Sequence, residues 1–259
     1  MKRYFKAWLI MTAGSIQAIF ASRLGVLIFV FGKLFRFLLF LGFIYFLFSG
    51  VQTIIGYNKY QILFFLTTFS VIGAIGQMLF RETYRFRARL VSGDFDFDLI
   101  KPIHPLLRNV SGGFDVLDLL TLPLYFWVLV QVMMGLHLTP IDLFLYILLS
   151  LNGLVIMAAI HIIVIAFGII STEVDHAVLI YRDFEAMGRF PVDIYREPLR
   201  QILTFVLPVG IMFTIPAKAY LGMLSWQVIL VSLLVGLVSV YLAFRFWRFA
   251  LKKYASASS

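Results

Sequence analysis

The sequence contains no cysteine, and only 14% of its 259 residues are charged. The first absence excludes disulfide bonds, thiol catalysis and metal sites built on cysteine. The second excludes an ordinary soluble domain, because the surface of such a domain needs far more polar side chains. Hydrophobic residues make up 62% of the chain instead. These proportions indicate a protein that lies in a membrane.

Several chemical motifs are also missing. The Gly-Lys pair at 32–33 lacks the rest of a phosphate-binding loop, so the chain is not expected to bind ATP in that way. No H-E-x-x-H helix occurs, and the four histidines lie in different segments. The acidic run 94–98 resembles the start of a calcium loop. It has Leu99 and Pro105 where such a loop needs glycine and glutamate. We therefore predict no metal, no cofactor and no catalytic residue.

Long apolar runs separate the charged residues. Most of these runs reach the roughly 20 residues that cross a bilayer core as a helix. The predicted fold class is all-α, a polytopic membrane protein in which 1–259 form a single domain with six transmembrane helices. An interfacial helix is predicted within 1–33, and the spans are predicted at 34–56, 61–80, 116–138, 142–170, 200–224 and 225–248.

The lysines and arginines fall mainly into four patches, which lie before span one, between spans two and three, between spans four and five, and at the carboxyl end. The third patch consists of Arg182, Arg189, Arg196 and Arg200. Only Lys59 and Lys218 lie outside the patches. Because cytoplasmic loops are enriched in Lys and Arg, the alternation predicts that all four patches and both termini are cytoplasmic. This bias also explains the net charge of +9, so no nucleic-acid partner is predicted.

The amino-terminal segment 7–22 is apolar enough to suggest a seventh span. It is short, however, and carries Thr12, Ser15 and Gln17. Crossing there would also place Arg23 and the basic residues after it on the wrong side of the membrane. We favour an interfacial helix along the cytoplasmic surface, with a true span as the alternative.

The predicted spans contain few ionisable groups. Ion-coupled transporters place such groups at mid-membrane, and selective channels arrange them in rings along a pore. The best polar candidates are His161 and Asn152 in span four, and a lone histidine on an apolar helix is more often a packing residue. Asp115 and Asp118 lie at the start of span three, where acids favour the helix dipole. The pattern disfavours an ion-driven transporter and an ion channel.

Two polar segments carry turn, capping and proline residues that indicate a defined local structure rather than a plain connecting loop. In the first, Gly93 breaks the chain, Asp94 can cap a short helix, and Lys101-Pro102 ends it. The second segment, 189–200, leads into span five. Because proline kinks a membrane helix and frees backbone carbonyls, span five and the segment before it offer gating or packing residues. The gating or kink candidates are Pro191, Tyr195, Pro208 and Pro216.

Both segments resemble a known family. The stretch G-D-F-D-F-D-L-I-K-P-I-H-P-L at 93–106 is similar to the G-x-[LF]-D-x-x-L-[LI]-[KR]-P-x-x-P segment of ABC-2-type ABC transporter permeases. The stretch at 190–217, which begins F-P-V-D-I-Y-R-E-P-L-R, is similar to a later segment of the same family. The resemblance covers essentially the whole chain and is to the bacterial branch of six-span subunits of this length.

This resemblance implies an ABC-2 exporter (type V-like) fold and a non-catalytic subunit in the bacterial cytoplasmic membrane. It also implies a second permease, identical or related, and two ATPase subunits that bind ATP and Mg²⁺ on separate chains. The segment around 93–105 would be, or flank, the coupling helix that enters a groove of the ATPase, with Phe95, Phe97 and Leu99 as anchors. The implied coupling residues are Gly93, Asp94, Phe95, Asp96, Phe97, Asp98, Leu99, Lys101 and Pro102.

The 28 phenylalanines and 12 tyrosines favour a hydrophobic or amphipathic cargo. Two other classes stay open. An ATPase-independent secondary transporter or channel is disfavoured by the scarcity of charge in the spans. A membrane enzyme acting on lipids would need clustered acids or metal ligands near the interface, and the only cluster comprises the acids of 94–98 with Asp115 and Asp118.

Overall fold

The computed structural model describes residues 2–136, 139–171 and 173–255, and within these ranges it is almost entirely helical. The α-helices of the described residues are α1 (Lys2–Phe20), α2 (Arg23–Leu47), α3 (Lys59–Phe80), α4 (Phe86–Val91), α5 (Asp94–Ile100), α6 (Pro105–Ser111), α7 (Val116–Met134), α8 (Pro140–Ser171), α9 (Val174–Ala186), α10 (Leu199–Gln201), α11 (Ile215–Tyr220) and α12 (Trp226–Lys253). Two π-helical segments, Ile202–Val206 and Gly210–Thr214, lie between α10 and α11. The predicted all-α class is confirmed.

Five helices are long and apolar enough to cross a membrane, namely α2, α3, α7, α8 and α12. We call one end of the bundle the basal end; it holds α4, α5, α6 and the last turn of α12. The other, apical end holds the turns between α2 and α3 and between α11 and α12. Contacts define both ends. The Tyr254 hydroxyl after α12 donates to Asp96 in α5, and the Tyr220 hydroxyl in α11 donates to the Met133 carbonyl in α7.

Helix α9 and the segment that follows it also traverse the bundle, and we call this polar path the α9 crossing. Val174, at its start, packs on Gly168 near the basal end of α8. The Tyr181 ring lies 5.0 Å from that of His161, and a Cβ on Gly73 would lie 3.8 Å from Glu185 Oε1.

The crossing ends at the apical turn. The Arg189 guanidinium lies over the Phe69 ring, and the Tyr57 hydroxyl donates to Asp193 at 2.9 Å. The partners of this segment in α3 and the turn before it thus move from Gly73 through Phe69 to Tyr57. The segment therefore runs antiparallel to α3, from the basal to the apical end.

The chain bends by 74° between Leu199–Val206 and Gly210–Tyr220, and we call this bent pair the re-entrant hairpin because of the contacts at its two ends. Arg200, at the start of the pair, forms an ion pair of 2.8 Å with Asp193 Oδ1. Lys218, near the end of the pair, forms one of 2.6 Å with Asp193 Oδ2. Because both ends of the hairpin contact one carboxylate at the apical end, the pair enters the bundle and leaves on the same side.

The predicted fifth span, 200–224, contains the re-entrant hairpin, and the charged α9 traverses the bundle beside it. From these contacts we predict that α9, rather than the apolar run, crosses the bilayer. A hydropathy pattern overlooks α9 because Asp175, Arg182, Asp183 and Glu185 interrupt it. The number of crossings stays even, so both termini still lie at the same end.

The third basic patch is therefore not at the basal end, in contrast to the prediction. Arg182 and Arg189 lie along the crossing, and Arg200 lies at the apical end with Lys218 through their shared carboxylate. The loop between α3 and α7 and the carboxyl end of α12 keep the basal end strongly basic. Because cytoplasmic loops are enriched in Lys and Arg, we still predict that the basal end faces the cytoplasm.

The first crossing also differs in its bounds. Helix α2 begins at Arg23, whereas the predicted span begins at 34, so Lys33 and Arg36 lie inside the helix. Helix α1 packs against the residues before α7: the Trp8 ring lies 5.9 Å from that of Phe114. This places α1 at the basal end, where an interfacial helix was predicted. The predicted span 116–138 ends on residues 137–138, which lie outside the described residues; α7 ends at Met134.

The packing is closest where α8 meets its neighbours. A Cβ on Gly153 would lie 2.6 Å from the Met212 carbonyl oxygen, so the re-entrant hairpin approaches the α8 backbone directly. A Cβ on Gly236 of α12 would lie 2.0 Å from Asn152 Oδ1. Small residues allow such close approach between helices in membranes. Helices α8, α12 and the hairpin consequently form one compact body, against which α9 is packed.

The re-entrant path predicts the sidedness of single cysteines, and the chain needs no background mutation because it has none of its own. We expect Arg196→Cys to react with a membrane-impermeant maleimide from the same side as Gln52→Cys in the α2–α3 turn. Lys252→Cys, at the end of α12, should react only from the opposite side. Labelling of oriented vesicles before and after permeabilisation makes this measurement. Reaction of Arg196→Cys from the Lys252 side would restore the predicted fifth span.

Candidate functional site

A cavity of about 650 Å³ opens between α2, α3, α7 and α9. Part of its wall is aromatic, formed by Phe29, Phe37, Phe40, Phe69 and Tyr125. The remainder is strongly charged. The basic lining residues are Lys33, Arg36, Arg81, Arg182 and Arg189, and the acidic ones are Asp118, Asp183 and Glu185. The volume is that of a small-molecule pocket, and the lining combines apolar surface with many charged groups.

Two arginines of this cavity lie halfway along the helices beside them. Arg36 is the fourteenth of the 25 residues of α2. Arg189 lies over Phe69, the eleventh of the 22 residues of α3. Both guanidiniums are therefore near the middle of their helical neighbours. Ionisable side chains at such depth are costly unless they face a polar cavity or a partner, and they commonly mark functional sites.

Two ion pairs close the basal mouth of the cavity. Lys33 in α2 pairs with Asp118 in α7, and Arg81 after α3 pairs with Asp115 at 3.2 Å. The Asp115 carboxylate also accepts from the Leu117 amide at 2.9 Å and so caps α7. Asp118 is buried, and its second carboxylate oxygen has no hydrogen-bond partner. Asp115 therefore has the structural role that its position suggests, whereas Asp118 also lines the cavity.

Three cations of the cavity have no described carboxylate in direct contact. Arg36, Arg182 and Arg189 form no ion pair within 4 Å with any described residue. Arg189 instead lies 5.0 Å from the centre of the Phe40 ring and 5.8 Å from that of Phe69, as in cation–π contacts.

Glu185 is buried beside Gly73 and attracts Arg182 and Arg189 over a longer distance. The cavity therefore has more cationic than anionic lining. The five apolar spans hold few ionisable groups, as predicted. Helix α9, which lies in a predicted loop, adds Arg182, Asp183 and Glu185 to the cavity.

At the basal end, α5 is anchored to its own chain through Phe95. This side chain is fully buried. Its ring makes edge-to-face contacts with Phe86 at 5.2 Å, with Tyr254 at 5.1 Å and with Trp247 at 6.3 Å. Tyr254 also hydrogen-bonds Asp96, and burial together with that carboxylate raises the pKa of the phenol to about 12. Helix α5 is thereby fixed to the end of α12.

Asp98 is the second anchor of α5. Its buried carboxylate forms an ion pair with Arg89 of α4. It also accepts from Asn109 Nδ2 of α6 at 3.2 Å, and Lys101 lies at 3.5 Å. One carboxylate thus joins α4, α5 and α6. The sequence predicts Phe95 and Asp98 as contacts with another protein, but the structure uses both for packing within the chain.

The opposite face of α5 is open. Phe97 is 58% exposed and Ile100 is 80% exposed, and Val91 of α4 is 65% exposed nearby in sequence. Leu99 is partly exposed. Gly93 starts the helix with a φ of 80°, a left-handed conformation that suits glycine, and Lys101 leaves it in an extended conformation before Pro102. The helix therefore presents Phe97 and Ile100 outward while its inner face holds it in place.

At the apical end, Asp193 connects three segments. Its carboxylate accepts from Tyr57 in the α2–α3 turn and pairs with Arg200 and Lys218 of the hairpin. Burial alone would raise the pKa of Asp193, but the contact with Lys218, the Tyr57 hydroxyl and the charge of Arg200 outweigh it and lower the pKa. Burial and the same hydrogen bond raise the pKa of Tyr57 well above its usual range. The sequence did not single out Asp193, although the opposite charges of Arg200 and Lys218 were visible.

The predicted kink residues lie around this apical hairpin. Pro208 is at the 74° bend, and Pro216 lies in the first turn of α11, where a proline fits without breaking the helix. Pro191 begins the short helical turn that carries Asp193. The Tyr195 hydroxyl donates to the Met187 carbonyl at 2.9 Å. Four residues predicted from separate places in the sequence are thus brought to one region, and a gating role for them stays a prediction.

His161 and Asn152 have packing contacts. His161 Nδ1 lies 2.8 Å from the Met157 carbonyl, and its ring lies among Phe80, Tyr84 and Tyr181. Asn152 Nδ2 donates to the Ser232 carbonyl of α12 at 2.9 Å. These contacts join α8 to α3, α9 and α12. No group of three potential metal ligands occurs among the described residues, a range that excludes His137.

The fold defines an all-helical, multi-pass membrane protein with a charged cavity between its helices. A family model described as ABC-2 family transporter protein matches residues 34–258. The chain belongs to this family, and it is thereby an ABC transporter permease, a membrane transport subunit of a kind that associates with an ABC ATPase. Comparisons with curated proteins and with solved structures gave no match. The predicted family is therefore confirmed.

Removal of the Asp98 carboxylate tests the internal role of α5. We expect Asp98→Ala to destabilise the chain by about 3 kcal/mol, because it leaves the half-buried Arg89 without its counter-ion. Asp94→Asn is the control, since Asp94 is exposed and its carboxylate accepts a hydrogen bond from Ser92. Equilibrium unfolding in detergent compares the two. Equal stability of both variants would contradict the role of Asp98 as an anchor.

The Asp193 contacts predict an acid-sensitive apical end. Because the folded pKa of Asp193 is lowered, its stabilising contribution is present above the unfolded carboxyl pKa of about 3.9 and is lost as the pH falls below that value. Asp193→Asn should lack this contribution at every pH. The measurement is the difference in thermal stability between the two proteins as a function of pH. It should be constant near neutrality and shrink in acid; a difference that grows on acidification would refute the assignment.

Proposed function

We propose that this chain is one membrane half of an ABC exporter, driven by a separate ATPase that contacts α5. In this arrangement the basal end faces the cytoplasm of a bacterium, with both termini there, and the partner ATPase binds ATP and Mg²⁺. The observation that carries the proposal is the division of α5 into two faces. Phe95 and Asp98 fix it to the chain, and Phe97 and Ile100 extend outward as apolar anchors.

This geometry suits the transmission of force. Exposed large apolar residues beside charged ones are typical of a protein-binding surface. The surface around Phe97 also includes Asp94, Lys101 and Arg108, which surround a basal recess. A push on α5 passes directly to α12 through Phe95 and Trp247, and to α4 and α6 through Asp98. Movement of an ATPase would thus reach the spans without a flexible connection.

A second permease, identical or related, completes the proposed transporter. Arg36 is exposed in a single chain although it lies halfway along α2. Lipid contact at that depth would be costly for a guanidinium. A second permease that covers this face of α2 would close the cavity and remove Arg36 from lipid. The cavity would then form half of a path between two permeases, with the Asp193 hairpin at its apical end.

A second candidate function is an ion-driven transporter without an ATPase. The charged cavity favours it, because ion-coupled transporters place ionisable groups along their transport path. It predicts substrate movement by the chain alone in proteoliposomes under an ion gradient. The exporter predicts none without the ATPase and ATP.

Substitutions on the outer face of α5 test the exporter. We expect Phe97→Ala and Ile100→Ala, combined, to abolish co-purification with the ATPase subunit and stimulation of its hydrolysis, because both anchors are lost. Pull-down from membranes and ATPase assays in nanodiscs measure the two effects. Met134→Ala, at the exposed apical end of α7, is the control and should change neither. Normal ATPase association of the double variant would exclude α5 as the coupling element.

A further inference from the structure

We propose that the cavity between α2, α3, α7 and α9 binds an amphipathic organic anion, with Arg36 and Arg189 on its acidic group and the aromatic wall on its apolar body. The inference rests on the proposed function, since it names the cargo class of the same path. It narrows that class from hydrophobic or amphipathic molecules to those that carry a carboxylate, sulfate or phosphate.

The first support is that Arg36 and Arg189 line one cavity without a counter-ion in the described part of the chain. Neither has an ion pair within 4 Å among the described residues. Cations halfway along membrane helices are costly without a partner, and a bound anion would supply one. Guanidinium groups bind carboxylates and phosphates through paired hydrogen bonds.

The acids of the cavity do not supply that anion. Asp118 is occupied by Lys33 at the basal mouth. Glu185 is buried on the side of Gly73 and attracts the arginines only over a longer distance. Lys33 and Arg81 are paired with Asp118 and Asp115. With every group ionised, the remaining lining carries three positive charges, on Arg36, Arg182 and Arg189, and two negative ones, on Asp183 and Glu185. One positive charge is therefore in excess among these arginines, where the ligand would be placed.

The aromatic wall argues for an apolar body on the same ligand. Phe40 and Phe69 lie under the Arg189 guanidinium at 5.0 and 5.8 Å, so the cation and the apolar surface are adjacent. Phe37 and Tyr125 continue this wall, with ring centres 4.6 Å apart. A cavity of about 650 Å³ accommodates an acidic group together with a short chain or ring system.

Charge-selective binding by the full chain tests the site without any ATPase. The probe is dodecyl phosphate, titrated calorimetrically into nanodiscs of phosphatidylcholine, with empty nanodiscs as the baseline. Dodecyltrimethylammonium has the same tail and the opposite charge. We expect saturable binding of the anion and none of the cation. Equal binding of both probes by the unmodified chain would overturn the proposal even before any variant is made.

Variants locate the binding. Arg36→Gln and Arg189→Gln should each weaken dodecyl phosphate about tenfold, because each removes a charge-assisted contact. Arg36→Lys should retain part of the affinity, and since Arg36 is exposed in the single chain, its substitution leaves the packing intact. Arg245→Gln, an exposed arginine of α12 outside the cavity, is the matched control and should bind normally. Unchanged affinity in both Arg→Gln cavity variants would overturn the proposal.

Two further measurements complete the test. One distinguishes a membrane lipid from a free organic anion, and the other distinguishes the anion site from the proposed exporter. Phosphatidylglycerol in the nanodiscs will compete if the acidic group belongs to a membrane lipid and will not if it belongs to a free organic anion; both results support the anion site. Selective binding without any ATPase association would remove the proposed exporter and keep the site. ATPase coupling without charge-selective binding would keep the proposed exporter and remove the anion site.

Discussion

The path of α9 through the bundle is the constraint on which the rest of the structure depends. Helix α9 and the turn after it bring Arg182, Glu185 and Arg189 against the apolar faces of α3 and α8. Such groups must pair or face a cavity. Arg182 and Glu185 line the cavity against α2 and α7, and Arg189 makes cation–π contacts there.

The same path also sets the two ends of the molecule. After crossing, the chain reaches the apical end at Asp193, and the following apolar residues have no further distance to cross. They turn back into the bundle as a re-entrant hairpin whose ends Asp193 ties together. At the basal end, α12 returns to meet α5, and Phe95 and Asp98 lock a short helix beneath the bundle. A charged cleft thus lies between a fixed basal element and an apical hairpin.

Sequence reasoning was most successful where a feature is local or summed over many residues. The all-α class, the membrane location and the family follow from long apolar runs and two motifs, and all are confirmed. The short helix after Gly93 was predicted from local residues, but the predicted cap was wrong: Gly93 is the N-cap and Asp94 is the first helical residue. The roles of Phe95 and Asp98 were not predictable, because an alternation of Asp and Phe does not say which face meets the chain itself. Asp193 was missed because its three partners are distant in sequence.

The sequence by itself determined that this chain is a helical membrane permease and that its basal end is basic, because hydropathy and net charge are properties of composition along the chain. Only the tertiary structure decided which segment makes the sixth crossing. An apolar run of sufficient length satisfies the bilayer requirement on its own, but it can equally be buried by neighbouring helices. A charged helix such as α9 can traverse the bundle when its charged side chains face a cavity. That choice depends on contacts between distant residues, and those contacts turned an expected cytoplasmic loop into the charged wall of the cavity.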